Sequence, residues 1–353
     1  MADLIIDFLG DISLNNAYVN LAVRKESPFT QVNDVLKNCD YLVGNLEAVV
    51  KSDEGENYSK QTRLSIHLES LKLLGRIKPD LLTLANNHIY DQLKDGFDKT
   101  MTYLDQNNIE YIGASSKPEK EMRAFIKQIN GFKVAFLNYV HPETNPSFPD
   151  DIKISVNQYV KQNIITDISS IRKKVDRIVL ILHWGMDNSR FPEPSQRRDA
   201  KEFAEAGADL IVGHHSHVLQ GFEKIGSSYV FYSLGNFAFA PLKEGKEYGL
   251  DKNRQANSII LHWTIRDGSH KVSWTPIILD NLRVKPVEKT NIHKISRLIP
   301  LVSNLLVWPV YKFYLKYIYK LYFYFFGNGR NPIKRLKQID RSKLNKAKMI
   351  LKS

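Results

Sequence analysis

Cysteine is almost absent from this sequence, in which Cys39 is the single one among 353 residues. One thiol excludes an internal disulfide and any metal cluster that is built from several cysteines. A chain of this length with 43% hydrophobic residues can still bury a large core. We expect one large domain, or a domain with an appendage.

The first residues lack the features of a signal peptide. Asp3 is an acid where signal peptides carry positive charge, and the apolar run 4–9 is too short for their hydrophobic region. We interpret this run as the first strand of the fold. The main domain is therefore expected in the cytoplasm.

Acidic residues are nearly absent from the C-terminal part of the chain. Residues 291–353 contain 14 lysines and arginines and one acid, Asp340, whereas the whole chain has 50 basic and 38 acidic residues. Any argument about polyanions or membranes therefore concerns this part alone. We predict a main domain over residues 1–285 and a helical tail over 286–353.

Short apolar runs alternate with helix-like segments in the main domain, which predicts an α/β fold. The polar stretch 51–62 is interpreted as an exposed loop. Gly207 is predicted to end a helix as its C-cap. The predicted strands are 4–9, 40–43, 79–84, 132–137, 177–182, 209–212 and 229–232, followed by an antiparallel pair, 259–265 and 272–278; the predicted helices are 96–107, 158–173 and 197–206.

A histidine cluster follows the apolar run 208–212. His214, His215 and His217 then lie at the carboxyl end of a buried strand, where open α/β sheets place their chemistry. A turn at this position can direct His215 and His217 to one point. Neutral imidazole is a common ligand of Zn, Fe, Mn and Ni.

Other predicted strands also end in residues that can bind metal. Because the carboxyl ends of parallel strands share one edge, these side chains are expected to converge. Carboxylate, amide and imidazole donors together suit two divalent ions, Mn, Fe or Zn, better than one structural zinc. Each residue alone has a structural alternative, such as a turn residue or a core histidine, and the joint pattern decides for metal. The predicted ligands are Asp11, Glu47, Asn87, His183, His215 and His217.

Six short motifs resemble those of CapA-type capsule-synthesis proteins. This family includes proteins of poly-γ-glutamate biosynthesis and is a branch of the calcineurin-like metallophosphoesterases. The motifs occur in the family's order between residues 4 and 240. They are Gly10-Asp11, Gly44-Asn45-Leu46-Glu47, Ala85-Asn86-Asn87-His88, His183-Trp184-Gly185, residues 213–218 and residues 232–237.

The resemblance implies a four-layer αββα sandwich with a dinuclear metal centre at the strand ends. It implies that Asp11 binds the first ion, that Glu47 bridges both, and that Asn87 and His183 bind the second. His215 and His217 would divide between the two ions.

The resemblance gives His88 a catalytic role without metal binding, either contacting the phosphoryl oxygen or protonating the leaving group. Asp91 and His214 are predicted to orient ligands, and Asn236 either to contact substrate or, the favoured role, to support the edge of the site. The sequence departs from the superfamily at two positions. Ser13 replaces a histidine, and Glu47 replaces a bridging aspartate, so a site with one ion is the alternative.

The tail has an aromatic and a basic part. Residues 298–326 are mostly aliphatic and aromatic, with Lys312, Lys316 and Lys320 at four-residue intervals. This pattern is typical of a helix in a membrane interface, and the lysines argue against a spanning helix. Residues 327–353 carry nine basic residues, which attract anionic lipid. The alternative is a helix packed on the main domain; nucleic acid is a weaker candidate, because no recognition motif accompanies the charge.

These observations together predict a metal-dependent hydrolase in capsule or exopolymer biosynthesis. Metal-bound hydroxide would attack a phosphate ester or a related group in a phosphorylated or polyanionic substrate. We expect the protein on the inner face of the cell membrane, with capsule synthesis or export proteins as candidate partners. One alternative is a non-catalytic accessory protein of such a machinery, and another is amide chemistry on a polyglutamate-like chain.

Overall fold

The computed structural model describes residues 3–116, 124–240 and 256–319. The strands are β1 (Leu4–Ile12), β2 (Tyr41–Leu46), β3 (Leu81–Thr83), β4 (Glu110–Ile112), β5 (Ala114–Ser115), β6 (Phe125–Ile129), β7 (Phe132–Val140), β8 (Ser155–Val156), β9 (Arg177–His183), β10 (Leu210–His214), β11 (Phe222–Ile225), β12 (Ser228–Phe231), β13 (Asn236–Ala238), β14 (Asn257–Arg266), β15 (Ser269–Asp280) and β16 (Arg283–Pro286). The α-helices are α1 (Tyr18–Val23), α2 (Asn33–Leu36), α3 (Leu68–Leu71), α4 (Leu93–Gln106), α5 (Lys161–Ile171), α6 (Pro194–Ala206), α7 (Ile292–Val302) and α8 (Trp308–Phe313). Short 3-10 turns cover Thr30–Val32, Lys72–Arg76, Pro142–Thr144 and Arg172–Lys174, and a π-helical turn covers Tyr314–Tyr319.

Two sheets dominate the described part of the chain. The first has the order β16-β15-β14-β1-β2-β3-β4, and β13 also pairs with β1. The second has the order β11-β12-β10-β9-β7-β6. Strands β1 to β4 are parallel to one another, as are β7, β9, β10 and β12. The carboxyl ends of the parallel strands in each sheet therefore lie at one edge.

Successive side chains of a strand point to opposite faces of the sheet, and both faces of each sheet are apolar. Phe8 of β1 lies in one buried cluster with Phe136 of β7 and Val212 of β10, so this cluster joins the two sheets. Their opposite faces are covered by helices. Leu82 of β3 packs with helix α4, and Ile211 of β10 packs with α5 and α6. The predicted four-layer αββα sandwich is confirmed.

Local sequence signals explain the helices well. Helix α4 buries Phe97, Met101 and Leu104, which follow at helical spacing, on the face predicted from the sequence. Helix α6 begins with a capping box between Glu193 and Gln196. It ends at Gly207, whose φ of 117° is left-handed, so the predicted C-cap is confirmed.

The predicted exposed loop 51–62 is wrong for part of its length. Ser52, Asn57 and Lys60 are buried, whereas Glu54 and Tyr58 are exposed. The carbonyl of Asp91 accepts a hydrogen bond from the Asn57 backbone at 2.9 Å. This backbone bond holds the loop against the segment that follows β3. A polar composition gave no sign of this contact, which depends on tertiary structure.

The described part of the tail packs on the sandwich through one face of α7. Ile292, Ile295 and Ile299 are buried, and the Ser296 hydroxyl accepts a hydrogen bond from the Phe222 backbone at 2.9 Å. Among the described residues, no helix has the length and apolar character needed to cross a bilayer. The division between residues 1–285 and 286–353 stays a prediction, because residues 320–353 lie outside the described part. Lys320 and the basic stretch 327–353 fall in this range.

Candidate metal centre

The site forms where strands of both sheets end beside each other. In the first sheet, Asp11 lies near the end of β1 and Glu47 comes directly after β2. In the second sheet, His183 is the last residue of β9 and His214 the last residue of β10. Packing of the two sheets brings these ends together across the sandwich. Histidines from one sheet consequently face carboxylates from the other.

Two groups of side chains are arranged to hold a cation, and they share Glu47. One consists of Asp11, Glu47 and His217, and the other of Glu47, His183 and His215. In each group, one donor atom of every residue lies within 4.8 Å of the others. Glu47 Oε1 lies 3.4 Å from His183 Nε2 and 3.6 Å from His217 Nε2. Glu47 is thus common to both groups, and its bridging of two ions stays a prediction.

The environment of Glu47 favours a bound cation. Its side chain is 0% exposed, and neither carboxylate oxygen has a hydrogen-bond donor among the described residues. Burial therefore raises the pKa of Glu47 well above its ordinary value. An ionised carboxylate without donors is costly in a protein interior unless a positive charge compensates it. The residues present thus fit divalent metal.

Asp11 is held by groups that leave it facing the site. Its Oδ1 accepts a hydrogen bond from Asn45 Nδ2 at 2.9 Å and lies 2.8 Å from His214 Nδ1. Although burial raises its pKa, the His214 and His217 imidazoles hold the pKa of Asp11 well below its usual range. Asp11 is therefore ionised at neutral pH. His214 has the orienting position expected from the sequence.

Asn87 belongs to the second group by position. Its Nδ2 donates to the carbonyl of Thr144 at 3.1 Å, which fixes the amide. Its Oδ1 consequently faces His183 Nε2 at 2.9 Å. An oxygen and a nitrogen thus point to the same place from the two sheets. Burial, reinforced by neighbouring His215, keeps the pKa of His183 well below its ordinary value, so this imidazole is neutral.

The histidine cluster lies on a strained turn after β10. His215 has a φ of 91° and His217 a φ of 57°, in the left-handed region that most side chains avoid. The turn directs both rings to the site, as expected from their spacing. Strain of this kind persists where the surrounding structure enforces it, and it is typical of functional sites. His217 Nδ1 lies 3.0 Å from Asn236 Oδ1, so Asn236 supports the ring at the edge of the site.

The two histidines of this turn differ in their electrostatics. Burial lowers the pKa of His215 to about 4. Burial also disfavours the charged form of His217, but the carboxylates of Glu47 and Asp11 raise its pKa to about 10. Without metal, His217 therefore holds a proton beside the ionised Asp11. A proton at this position marks the place where a cation is favourable.

His88 points into the site without joining either group. Its Nε2 lies 4.0 Å from Glu47 Oε1, and its Nδ1 lies 2.5 Å from Asp91 Oδ2. Asp91 therefore fixes the ring of His88, which is not one of the predicted ligands, and its predicted role in orienting a ligand stays a prediction. Burial and the charge of Lys60 lower the pKa of His88.

Sequence reasoning missed three residues of the site. Lys60 Nζ donates to the backbone carbonyl of Asn87 and lies 3.2 Å from Asp91 Oδ1. Asp187 Oδ1 lies 3.4 Å from His215 Nε2, and its 61% exposed side chain marks the mouth of the site. Asn45 belongs to the motif at residues 44–47, so the motif could have indicated its place in the site. Lys60 and Asp187 lie in polar segments without any pattern.

All ten predicted site residues therefore come together around Glu47. Their distances fit the predicted roles, and the roles themselves stay predictions. Ser13 is fully buried, and its hydroxyl has no hydrogen-bond partner among the described residues.

Comparisons with known proteins relate this chain to proteins of bacterial capsule synthesis. Residues 5–241 match the family described as bacterial capsule synthesis protein PGA_cap. The capsule biosynthesis protein CapA of Bacillus anthracis is 30% identical over 286 residues, which cover 76% of this chain and 69% of that protein. The PGA biosynthesis protein CapA of Bacillus subtilis is 30% identical over 292 residues, which cover 81% of this chain and 74% of that protein.

Among solved structures, a 5'-nucleotidase precursor from Thermus thermophilus aligns with 12% identity and a TM-score of 0.44. The alignment covers 90% of this chain and 61% of that one. Similarity at this level says nothing about the reaction. The family match and the two relatives are sufficient to place the chain, which belongs to the bacterial capsule synthesis family PGA_cap.

Proposed function

We propose that this chain is a metal-dependent hydrolase of phosphoesterase type that acts in capsule biosynthesis. The observation that carries the proposal is Glu47, a buried carboxylate without donors, shared by two groups of metal-binding residues. Such a donor set of carboxylates, an amide and imidazoles is typical of catalytic metal sites. The relatives of this chain have names in capsule and PGA biosynthesis, which supports the pathway.

Asp11, Glu47 and His217 would hold one ion, and Glu47, Asn87, His183 and His215 the other. Ions in these positions would supply Lewis-acid chemistry, since a bound divalent cation polarises a phosphoryl oxygen and lowers the pKa of water. The buried walls of the site exclude bulk water, which strengthens every charge interaction inside it.

His88 is the residue we assign to proton transfer. Asp91 Oδ2 binds its Nδ1, so the opposite nitrogen, Nε2, faces the centre. A phosphorylated substrate brings negative charge to Nε2, which favours a proton there. The ring can then donate that proton to the oxygen of the leaving group.

The first experiment is metal analysis of gently purified protein, beside a His215→Ala/His217→Ala variant. We expect about two ions per chain in the wild type, as in two-metal phosphoesterases, and loss of metal in the variant. A single ion would indicate a reduced site. Protein that binds none after Mn or Zn is supplied would contradict the proposal.

The second experiment separates chemistry from metal binding. His88→Ala should retain metal while the hydrolysis of phosphate esters falls by about 100-fold or more, the usual contribution of acid–base catalysis. His141→Ala is the matched control, since His141 is a half-buried histidine that contacts Tyr159 and Glu143. Equal activity of both variants would contradict the role of His88.

One observation favours a second candidate, a non-catalytic accessory protein of a capsule synthesis or export machinery. Ser13 places a hydroxyl where the superfamily has a histidine, so the first group has only three donors. The accessory function predicts that His88→Ala leaves polymer production unchanged in cells. Reduced production with retained metal would contradict it.

A further inference from the structure

Exposed apolar side chains are concentrated in one short stretch of the described tail. Of the 13 large apolar residues that are exposed in the described part of the chain, eight lie between residues 298 and 314. Soluble surfaces rarely concentrate apolar groups in this way unless they bind something. We call this stretch the leucine surface; its members are Leu298, Leu301, Leu305, Leu306, Val307, Val310, Phe313 and Tyr314.

The leucine surface is displayed on a firmly held support. The opposite face of α7 is buried through Ile292, Ile295 and Ile299. Arg197, which is paired with Glu223, donates to the carbonyl of Ser303 at 3.4 Å. Between the two helices, Leu305 and Leu306 are 77% and 87% exposed. Their exposure therefore does not result from a loose chain end.

The exposed charges on the helices of the leucine surface are basic, and Glu193, which lies beside Lys312, has a side chain that is only 15% exposed. Lys294, Arg297, Lys312 and Lys316 are exposed, and residues 291–319 contain no acid. Arg198 lines the same groove as Leu305 and Leu306. Apolar side chains with a basic border are typical of surfaces that lie on anionic membranes.

We propose that the leucine surface docks on an anionic lipid bilayer, with Leu305 and Leu306 inserted among the lipids. The charge argues against the other occupants. A second copy of the chain would place the same basic residues opposite each other. Residues 327–353 carry nine basic residues and one acid, so this stretch too would be repelled.

Docking at this surface fixes the orientation of the candidate metal centre. Tyr311 of α8 accepts a hydrogen bond from the Arg190 backbone at 3.2 Å and contacts the Phe191 ring. Lys312 lies 3.7 Å from Glu193. These contacts connect the leucine surface to the loop that carries Asp187 at the mouth of the site. The site is therefore held at a constant position relative to the membrane.

The test is binding of the full-length chain to vesicles, measured by co-sedimentation. Leu305→Ser/Leu306→Ser is compared with Val23→Ser/Val160→Ser, which alters two aliphatic residues that are exposed elsewhere. The vesicles contain either phosphatidylglycerol with phosphatidylcholine or phosphatidylcholine alone. Both variants change exposed side chains, so neither is expected to unfold.

We expect the wild type and the control to bind the anionic vesicles, and the leucine variant to bind at least about tenfold more weakly, because its apolar insertion is lost. Neutral vesicles should bind the wild type more weakly. Equal binding by the leucine variant would overturn the proposal. A wild type that binds no vesicles would overturn it as well. The proposal would also be overturned if the leucine variant, but not the control, differed from the wild type in oligomeric state, because the leucine surface would then join two copies of the chain.

Discussion

At the scale of single residues, Lys60 shows how a polar loop contributes to a site. Its side chain is 5% exposed, although it belongs to a stretch whose composition predicts exposure. Burial lowers the pKa of Lys60, and Asp91 acts against this shift. The ammonium holds Asp91 and the Asn87 carbonyl in place. Lys60 therefore supports both the orientation of His88 and the backbone of a candidate ligand.

Lys60→Met tests this support. Removal of one partner from a buried ion pair leaves the other charge uncompensated, which costs about 3–5 kcal/mol. We expect a loss of free energy of unfolding near the lower end of this range, because Asp91 keeps its contacts to His88 and the Leu64 backbone. Urea denaturation measures it. Lys51→Met, at an exposed lysine of the same loop, is the control and should change stability by less than about 0.5 kcal/mol. An equal loss of free energy of unfolding in the two variants would mean that the ion pair between Lys60 and Asp91 does not stabilise the fold.

At the scale of elements, the end of β10 depends on close backbone packing. A Cβ atom at Gly213 would lie 1.9 Å from the carbonyl oxygen of Tyr232 and 2.6 Å from Trp184 Nε1. No larger residue fits unless β10 moves away from β12. Because His215 and His217 follow directly, their position depends on this contact.

Gly213→Ala should therefore destabilise the fold by about 1–3 kcal/mol, the usual cost of overpacking, and should also lower metal content. Gly75→Ala is the control, since a Cβ atom there meets nothing within 4 Å. Thermal unfolding and metal analysis of both variants measure the effects. An unchanged melting temperature in Gly213→Ala would show that β10 adjusts without cost.

At the scale of the whole molecule, the candidate centre joins the two sheets. The first sheet provides Asp11, Glu47 and Asn87, and the second provides His183, His215 and His217. A cation bound between them would hold the two sheets together at this edge. Without metal, folding at neutral pH must place a proton on Glu47, because burial raises the pKa of Glu47 well above its ordinary value, and this proton uptake costs free energy.

Metal should therefore change the effect of Glu47→Gln on stability. With a chelator, the variant should unfold at a higher temperature than the wild type at neutral pH, because glutamine removes an acid whose raised pKa makes folding take up a proton. With Mn, the order should reverse, since metal at 100 times its dissociation constant stabilises the wild type by about 2.7 kcal/mol. Glu54→Gln, at an exposed acid, is the control. The same order under both conditions would argue against metal at Glu47.

Much of the fold follows from local sequence. Apolar runs and helical spacing predicted most of the long strands, α4 and the C-cap at Gly207, because these depend on near neighbours in the chain. The short edge strands β6 and β11 were missed. Most of their side chains are partly exposed, so these strands have no continuous apolar run that would reveal them in the sequence. They form by pairing with their neighbours β7 and β12.

The sequence by itself determined which residues could bind metal and that they follow parallel strands, whereas packing of the two sheets brought the strand ends together. The conclusions from the sequence need only the strand pattern and the chemistry of side chains. Tertiary structure decided how the ligands divide, with His217 beside Asp11 and His215 beside His183. It also placed Lys60 and Asp187 at the site and left the leucine surface exposed. These features depend on distances and burial between segments far apart in the chain, which local patterns do not encode.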